Sequence, residues 1–88
     1  MADFTITTTN DVYVFVAQLK TEAEKRGDTD FASELDDALH LGSSGLEILG
    51  AIQKTLIENH GEVESLLGSD GWQKAAHVIA FVDKTFGR

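Results

Sequence analysis

Asp36, Asp37 and His40 are the residues of this sequence whose types and spacing come nearest to a metal site. The carboxylates precede the histidine by four and three residues, so all three side chains share one face of a predicted helix. Helical bundles build metal sites from acid–histidine pairs on two helices, and this sequence holds a single such pair. We therefore expect no metal site, and we expect His40 to form a surface ion pair.

The other two histidines also suit structural roles. His60 precedes Gly61 at a predicted helix end, where the helix dipole favours a cation. His77 lies mid-helix between apolar neighbours, which predicts a packed ring or an interface contact.

No catalytic constellation accompanies these residues. The chain has no cysteine, no serine with a nearby histidine in a recognisable motif, and no glycine-rich phosphate loop. A domain of 88 residues also has little room for a large ligand pocket. We expect a protein without catalytic activity and without a cofactor.

Ser44 begins a predicted helix in the pattern S-x-x-E, a capping box that ends at Glu47. The Ser44 hydroxyl is expected to accept a hydrogen bond from the amide of Glu47, and the Glu47 carboxylate to accept one from the amide of Ser44. Capping accounts for both residues without invoking a function.

The same stretch, Leu-Gly-Ser-Ser-Gly-Leu at 41–46, loosely resembles the phosphopantetheine site of acyl carrier proteins, in which a serine follows a glycine at a helix start. That family has Asp-Ser-Leu, whereas no Asp precedes the serine here and Gly45 separates Ser44 from Leu46. The resemblance implies an alternative function, an acyl or peptidyl carrier using Ser44.

Residues 23–41 resemble one tetratricopeptide-repeat hairpin, with Gly27 at the turn and Ala32 five residues later. No second copy follows at the spacing of about 34 residues that such repeats have. The resemblance therefore implies a helical hairpin rather than a repeat array.

Apolar periodicity and glycine punctuation predict an all-α fold, a compact bundle of four to five short helices forming a single domain over 1–88. Residues 1–9 are expected to be an extended arm packed on the bundle, because Phe4 and Ile6 alternate with polar residues. The predicted helices cover 10–26, 29–41, 45–59, 62–67 and 71–86.

Local residues predict where these helices begin and end. The expected N-caps are Thr9 or Asn10, Asp28 or Thr29, Ser44, and Asp70. The expected left-handed positions after helices are Gly27, Gly42, Gly61 and Gly68. The expected core faces are Val12, Val16, Leu19 and Ala23 in the first helix, Phe31, Leu35, Ala38 and Leu39 in the second, and Trp72, Ala75, Ile79, Val82 and Phe86 in the last.

The charge is strongly acidic, with a formal net charge of −8. No Lys or Arg lies between Arg26 and Lys54, and Asp30, Glu34 and Asp37 share one side of the second predicted helix. Such a field repels nucleic acids and anionic membranes, so neither is an expected partner. A basic protein is an expected partner, and an acidic face that is only solvated is the open alternative.

Apolar residues cover most of the third predicted helix around Gly50, where we expect a closely packed helix of the same chain or of another. The last helix carries Trp72 and has a second apolar side that includes Phe81. These features predict self-association as a homodimer. The candidate interaction surface is Asp30, Glu34, Asp37, Gly50, Trp72 and Phe81.

These observations together predict a small acidic protein-interaction or regulatory module. Bacterial inhibitor and immunity proteins are similar in size, acidity and helicity, although no motif ties this chain to them. The sequence has no signal-peptide pattern and no membrane-spanning segment, so a cytoplasmic protein is expected.

Overall fold

The computed structural model describes residues 6–40 and 44–87, and these residues form an all-α bundle. α1 packs on α2 and α4, and α3 packs on the same two helices, so the described helices surround one core. The predicted all-α class is confirmed. The helices are α1 (Thr9–Lys25), α2 (Thr29–Leu39), α3 (Gly45–Glu58) and α4 (His60–Thr85).

All four helices contribute to the core. Phe15, Leu35, Ile52 and Val82 are among its fully buried side chains, one from each helix. The predicted core face of α1 is confirmed in full, and that of α2 is confirmed except that Leu39 is half-buried.

The predicted core face of α4 is rotated relative to the observed one. Val78 is fully buried, whereas Phe86, which we expected in the core, is 37% exposed, and Trp72 and Ile79 are half-buried. Because two faces of this helix are apolar, the hydrophobic periodicity is compatible with either face in the core, and packing against the other helices determines which one is buried.

α1 begins with a capping box built by Thr8 and Asp11, so the prediction of Thr9 or Asn10 as the cap was wrong. The amide of Asp11 donates to Thr8 Oγ1 at 3.2 Å, and the amide of Thr8 donates to Asp11 Oδ2 at 3.1 Å. Of the predicted arm, Ile6 packs against the core, while residues 1–5 lie outside the described residues.

The connection from α1 to α2 follows the prediction. Gly27 has a φ of 78°, the left-handed conformation that favours glycine after a helix. Asp28 is the N-cap of α2, because its carboxylate accepts a hydrogen bond from the amide of Phe31 at 3.3 Å. The predicted turn glycine Gly42 lies outside the described residues.

The chain passes from α3 to α4 at Asn59 alone, without the predicted glycine turn. Gly61 lies in the first turn of α4, so its assignment as a left-handed position was wrong. The carbonyl of Thr55, in the last turn of α3, accepts hydrogen bonds from both the amide and the side-chain Nδ2 of Asn59, at 3.1 and 2.9 Å.

α4 is bent at Gly68, which has a φ of 78° and a ψ of −177°. The bend divides the helix into 60–67 and 69–85, corresponding to the two helices predicted here. Because helix resumes at Ser69, Asp70 lies inside it and is not the N-cap that the sequence predicted. At the bend, a Cβ atom on Gly71 would overlap Leu67 Cβ, so the backbone closes there in a way that only glycine permits.

Candidate interaction surfaces

The three acidic residues predicted to share a side of α2 are all exposed. Asp30, Glu34 and Asp37 follow one another at spacings of four and three residues, which places them along one face of the helix. Glu34 Oε1 also accepts a hydrogen bond of 3.4 Å from Asn59 Nδ2 at the α3–α4 junction. We call these three residues the acidic face.

Lys20 in α1 and Arg26 at its C-terminal end form ion pairs with acidic residues outside the acidic face. Lys20 Nζ lies 2.9 Å from Asp36 Oδ1, and Arg26 Nε lies 3.4 Å from Glu22 Oε1. The hydrogen bond from Lys20 holds the pKa of Asp36 below its ordinary value. Over residues 6–40 and 44–87, no member of the acidic face forms an ion pair.

Glu62, in the first turn of α4, extends the acidic region across two helices. Its carboxyl group faces that of Asp28, and the hydrogen bond and charge of Asp28 raise the pKa of Glu62 above its ordinary value of 4.5. Burial and the charge of Glu34 raise it further. Glu62 was not among the predicted surface residues, because no local sequence pattern indicates that the start of α4 lies beside the start of α2.

Replacing Glu62 with glutamine is expected to raise the melting temperature at pH 7. A carboxyl group with a raised folded-state pKa makes the fold less stable once it ionises, so the stability of the wild type should increase as the pH falls through that pKa toward 4.5. As the pH is lowered from 7 to 4.5, the melting temperature should increase less for Glu62→Gln than for the wild type. The matched control is Glu64→Gln, an exposed position on the same helix. Equal changes in the melting temperatures of the two variants would contradict the raised pKa of Glu62.

Gly50, expected to contact a closely packed helix, is covered by the end of α4 of the same chain. A Cβ atom placed on Gly50 would lie 3.6 Å from Phe86 Cζ, an ordinary van der Waals distance. Leu46 and Ile57 on α3 are 51% and 55% exposed. The exposed large apolar side chains of α3 are therefore these two, which lie near the ends of the helix.

Trp72 and Phe81, the other predicted surface residues, are half-buried against the core and have different neighbours. The indole of Trp72 stacks on the ring of His60, with ring centroids 3.6 Å apart and planes inclined by 17°. Phe81 lines a groove beside Ile6. The structure therefore does not gather Gly50, Trp72 and Phe81 around one common contact.

The histidines differ in how well they were predicted. His40 Nδ1 lies 2.8 Å from the carbonyl oxygen of Asp36 and 3.7 Å from Asp36 Oδ1, and the second contact is an ion pair only when the imidazole is protonated. His60 begins α4 and stacks on Trp72 instead of closing the preceding helix. His77 is exposed, so its ring is not packed in the core. Among the residues that the structure describes, no group of three or more histidine and acidic side chains could hold a metal ion.

Ser44 caps α3 as predicted. Its exposed hydroxyl accepts a hydrogen bond of 3.2 Å from the amide of Glu47. The hydroxyl also donates to Glu47 Oε1 at 3.2 Å, where the sequence predicted that this carboxylate would bond the Ser44 amide.

Comparisons with protein-family models, curated proteins and solved structures found no match to this chain. Within the two described segments, none of the helices combines the length and the hydrophobicity needed to span a bilayer.

Proposed function

We propose that this chain is a small, non-catalytic protein-interaction module whose acidic face binds a basic surface of another protein. The observation that carries the proposal is the combination of exposed acids on α2 with nearby cations that are paired elsewhere. Lys20 and Arg26 neutralise Asp36 and Glu22, so the acidic face remains available to a cation from outside the chain.

The electrostatics at the edge of this face also favour a cationic partner. The hydrogen bond with Asp28 and the charges of Asp28 and Glu34 raise the pKa of Glu62, and a lysine or arginine placed beside these groups would relieve the repulsion between the charges. The net charge of −8 would attract a basic protein from a distance. Because exposed charges are screened by salt, binding through this face should weaken as ionic strength rises.

Charge reversal with a matched control tests the proposal. The variant Asp30→Lys/Glu34→Lys/Asp37→Lys should lose its protein partner, with affinity lower by about tenfold or more. The control Glu24→Lys/Glu64→Lys/Asp70→Lys has the same net charge and alters exposed acids elsewhere.

Both variants and the wild type are immobilised and exposed to an extract of the protein's own cells at low and high salt. Retained proteins are then quantified by mass spectrometry. Selective loss in the first variant supports the acidic face as the site. Equal retention by both variants means that the face is only solvated and contradicts the proposal.

Two alternatives have specific support. The exposed Ser44 hydroxyl at the start of α3 suits a carrier, and a gain in intact mass after incubation with a phosphopantetheinyl transferase and coenzyme A would favour that function. The exposed side chains of Leu46 and Ile57 suit a homodimer, and sedimentation velocity over a range of concentrations distinguishes it from a monomer. A cytoplasmic location is part of the main proposal.

A further inference from the structure

A groove of about 660 Å³ runs between α4 and the residues that precede α1. The expectation that so small a domain leaves little room for a pocket was therefore wrong, since ligand sites commonly have volumes of about 300–1,000 Å³. The groove is open along one side. Its described lining residues are Ile6, Thr7, His77, Ala80, Phe81, Lys84 and Thr85.

The residues of α4 arrange these lining groups in a definite order. His77 and Lys84 are seven residues apart, which is about two helical turns or 10 Å along one face. Ala80 and Phe81 lie between them, and Ile6 provides apolar surface from the preceding segment. A basic group thus stands at each end of an apolar stretch.

The described lining residues of the groove carry a charge opposite to that of the whole protein. Its described lining contains basic groups and no carboxylate, in a chain with 15 acidic residues and 7 Lys and Arg. The neighbouring acids are engaged elsewhere. Asp83 accepts a hydrogen bond of 2.8 Å from Gln53 on α3, and Asp11 accepts hydrogen bonds from Thr7 and Thr8 at the start of α1.

Lys84 is the group best placed to bind an anion in this groove. It is exposed, and it forms no ion pair with any of the described residues. An ammonium group beside an apolar surface can pair with a carboxylate whose hydrocarbon chain lies on that surface, so charge attraction and apolar burial act together.

We propose that this groove binds a small amphipathic carboxylate, such as a medium-chain fatty acid. Its hydrocarbon chain lies over Ala80 and Phe81, and its carboxylate pairs with Lys84. The proposal concerns a different surface from the acidic face and does not depend on the proposed function.

Titration of the full chain with decanoate below its micelle concentration, followed by backbone amide NMR, tests this proposal. Amide shifts should saturate and should concentrate around Ile6 and residues 77–85. Lys84→Gln should weaken the affinity by about tenfold, because it removes the charged partner. Lys25→Gln, which makes the same charge change at an exposed position on α1, should leave the affinity unchanged.

Two further arms make the test independent of any single variant. Ala80→Glu places a carboxylate in the groove at an exposed position and should abolish decanoate binding while the amide spectrum stays folded. Decyltrimethylammonium has a similar chain and the opposite charge, so it should not bind there. Absent or non-saturating shifts, equal binding of the two amphiphiles, or full binding by Lys84→Gln and Ala80→Glu would overturn the proposal.

Discussion

Replacing Gly71 with alanine is expected to lower the free energy of unfolding by about 1–3 kcal/mol. The new methyl group would overlap Leu67 Cβ, an atom fixed to the backbone that cannot rotate away. The backbone on either side of Gly68 would have to open, and the buried turn at Gly71 would lose its packing. Chemical denaturation monitored by circular dichroism measures the loss.

Gly50→Ala is the matched control, because it adds the same methyl group to a glycine within a helix. There the Cβ atom would lie at van der Waals distance from the Phe86 ring, and alanine is favoured over glycine in a helix by about 1 kcal/mol. Gly50→Ala should therefore stabilise the protein. Equal destabilisation by the two alanines would contradict the close approach at the bend in α4.

Replacing Gln53 with methionine is expected to cost about 1–3 kcal/mol of stability. Gln53 is 7% exposed, and its Nε2 donates to the carbonyl of Ile79 at 3.0 Å and to Asp83 Oδ1 at 2.8 Å. These hydrogen bonds join α3 to α4 and fix their relative position. Methionine keeps a similar volume, so thermal or chemical denaturation would report mainly the lost hydrogen bonds.

Gln53→Glu keeps the shape of the side chain and removes its hydrogen-bond donor, so it tests whether the donor stabilises the fold. It replaces the amide with a carboxylate facing Asp83, so it should destabilise the fold more than methionine at pH 7 and recover part of the loss on acidification. If Gln53→Met unfolds at the wild-type denaturant concentration, the connection between α3 and α4 does not depend on these bonds.

Features determined by neighbouring residues could be predicted from the sequence. Ser44 was predicted as a cap and Asp28 as one of two candidates, because each can bond an amide only three residues away. Gly27 was predicted because glycine suits the left-handed conformation. The cap at Thr8 was not predicted, because its reciprocal partner Asp11 differs from the Glu or Gln that a capping box usually has at that position.

Features determined by contacts between distant segments could not be predicted. Gln53 falls in an apolar helix with no local sign that its amide would be satisfied by Asp83, thirty residues later. The close approach at Gly71 depends on how the two parts of α4 meet at Gly68, whereas the sequence predicted two separate helices over 62–67 and 71–86. The pairing of Asp28 with Glu62 joins the starts of two helices and likewise has no sequence signal.

The candidate interaction surface also combines features determined by neighbouring residues with features determined by distant segments. The exposure of Asp30, Glu34 and Asp37 followed from helical spacing and composition. Their availability depends on which acids Lys20 and Arg26 contact, which only the folded chain determines. The apolar candidates Gly50, Trp72 and Phe81 were treated as one surface, whereas folding gives each a different environment.

Carbodiimide coupling of the wild-type protein to its captured partner tests the central claim most directly, because this reagent joins carboxylates to lysines in contact. Mass spectrometry of the coupled peptides should place the links on Asp30, Glu34 and Asp37, joined to lysines of the partner. Links spread equally over other exposed acids such as Glu24 and Asp70 would contradict recognition through the acidic face.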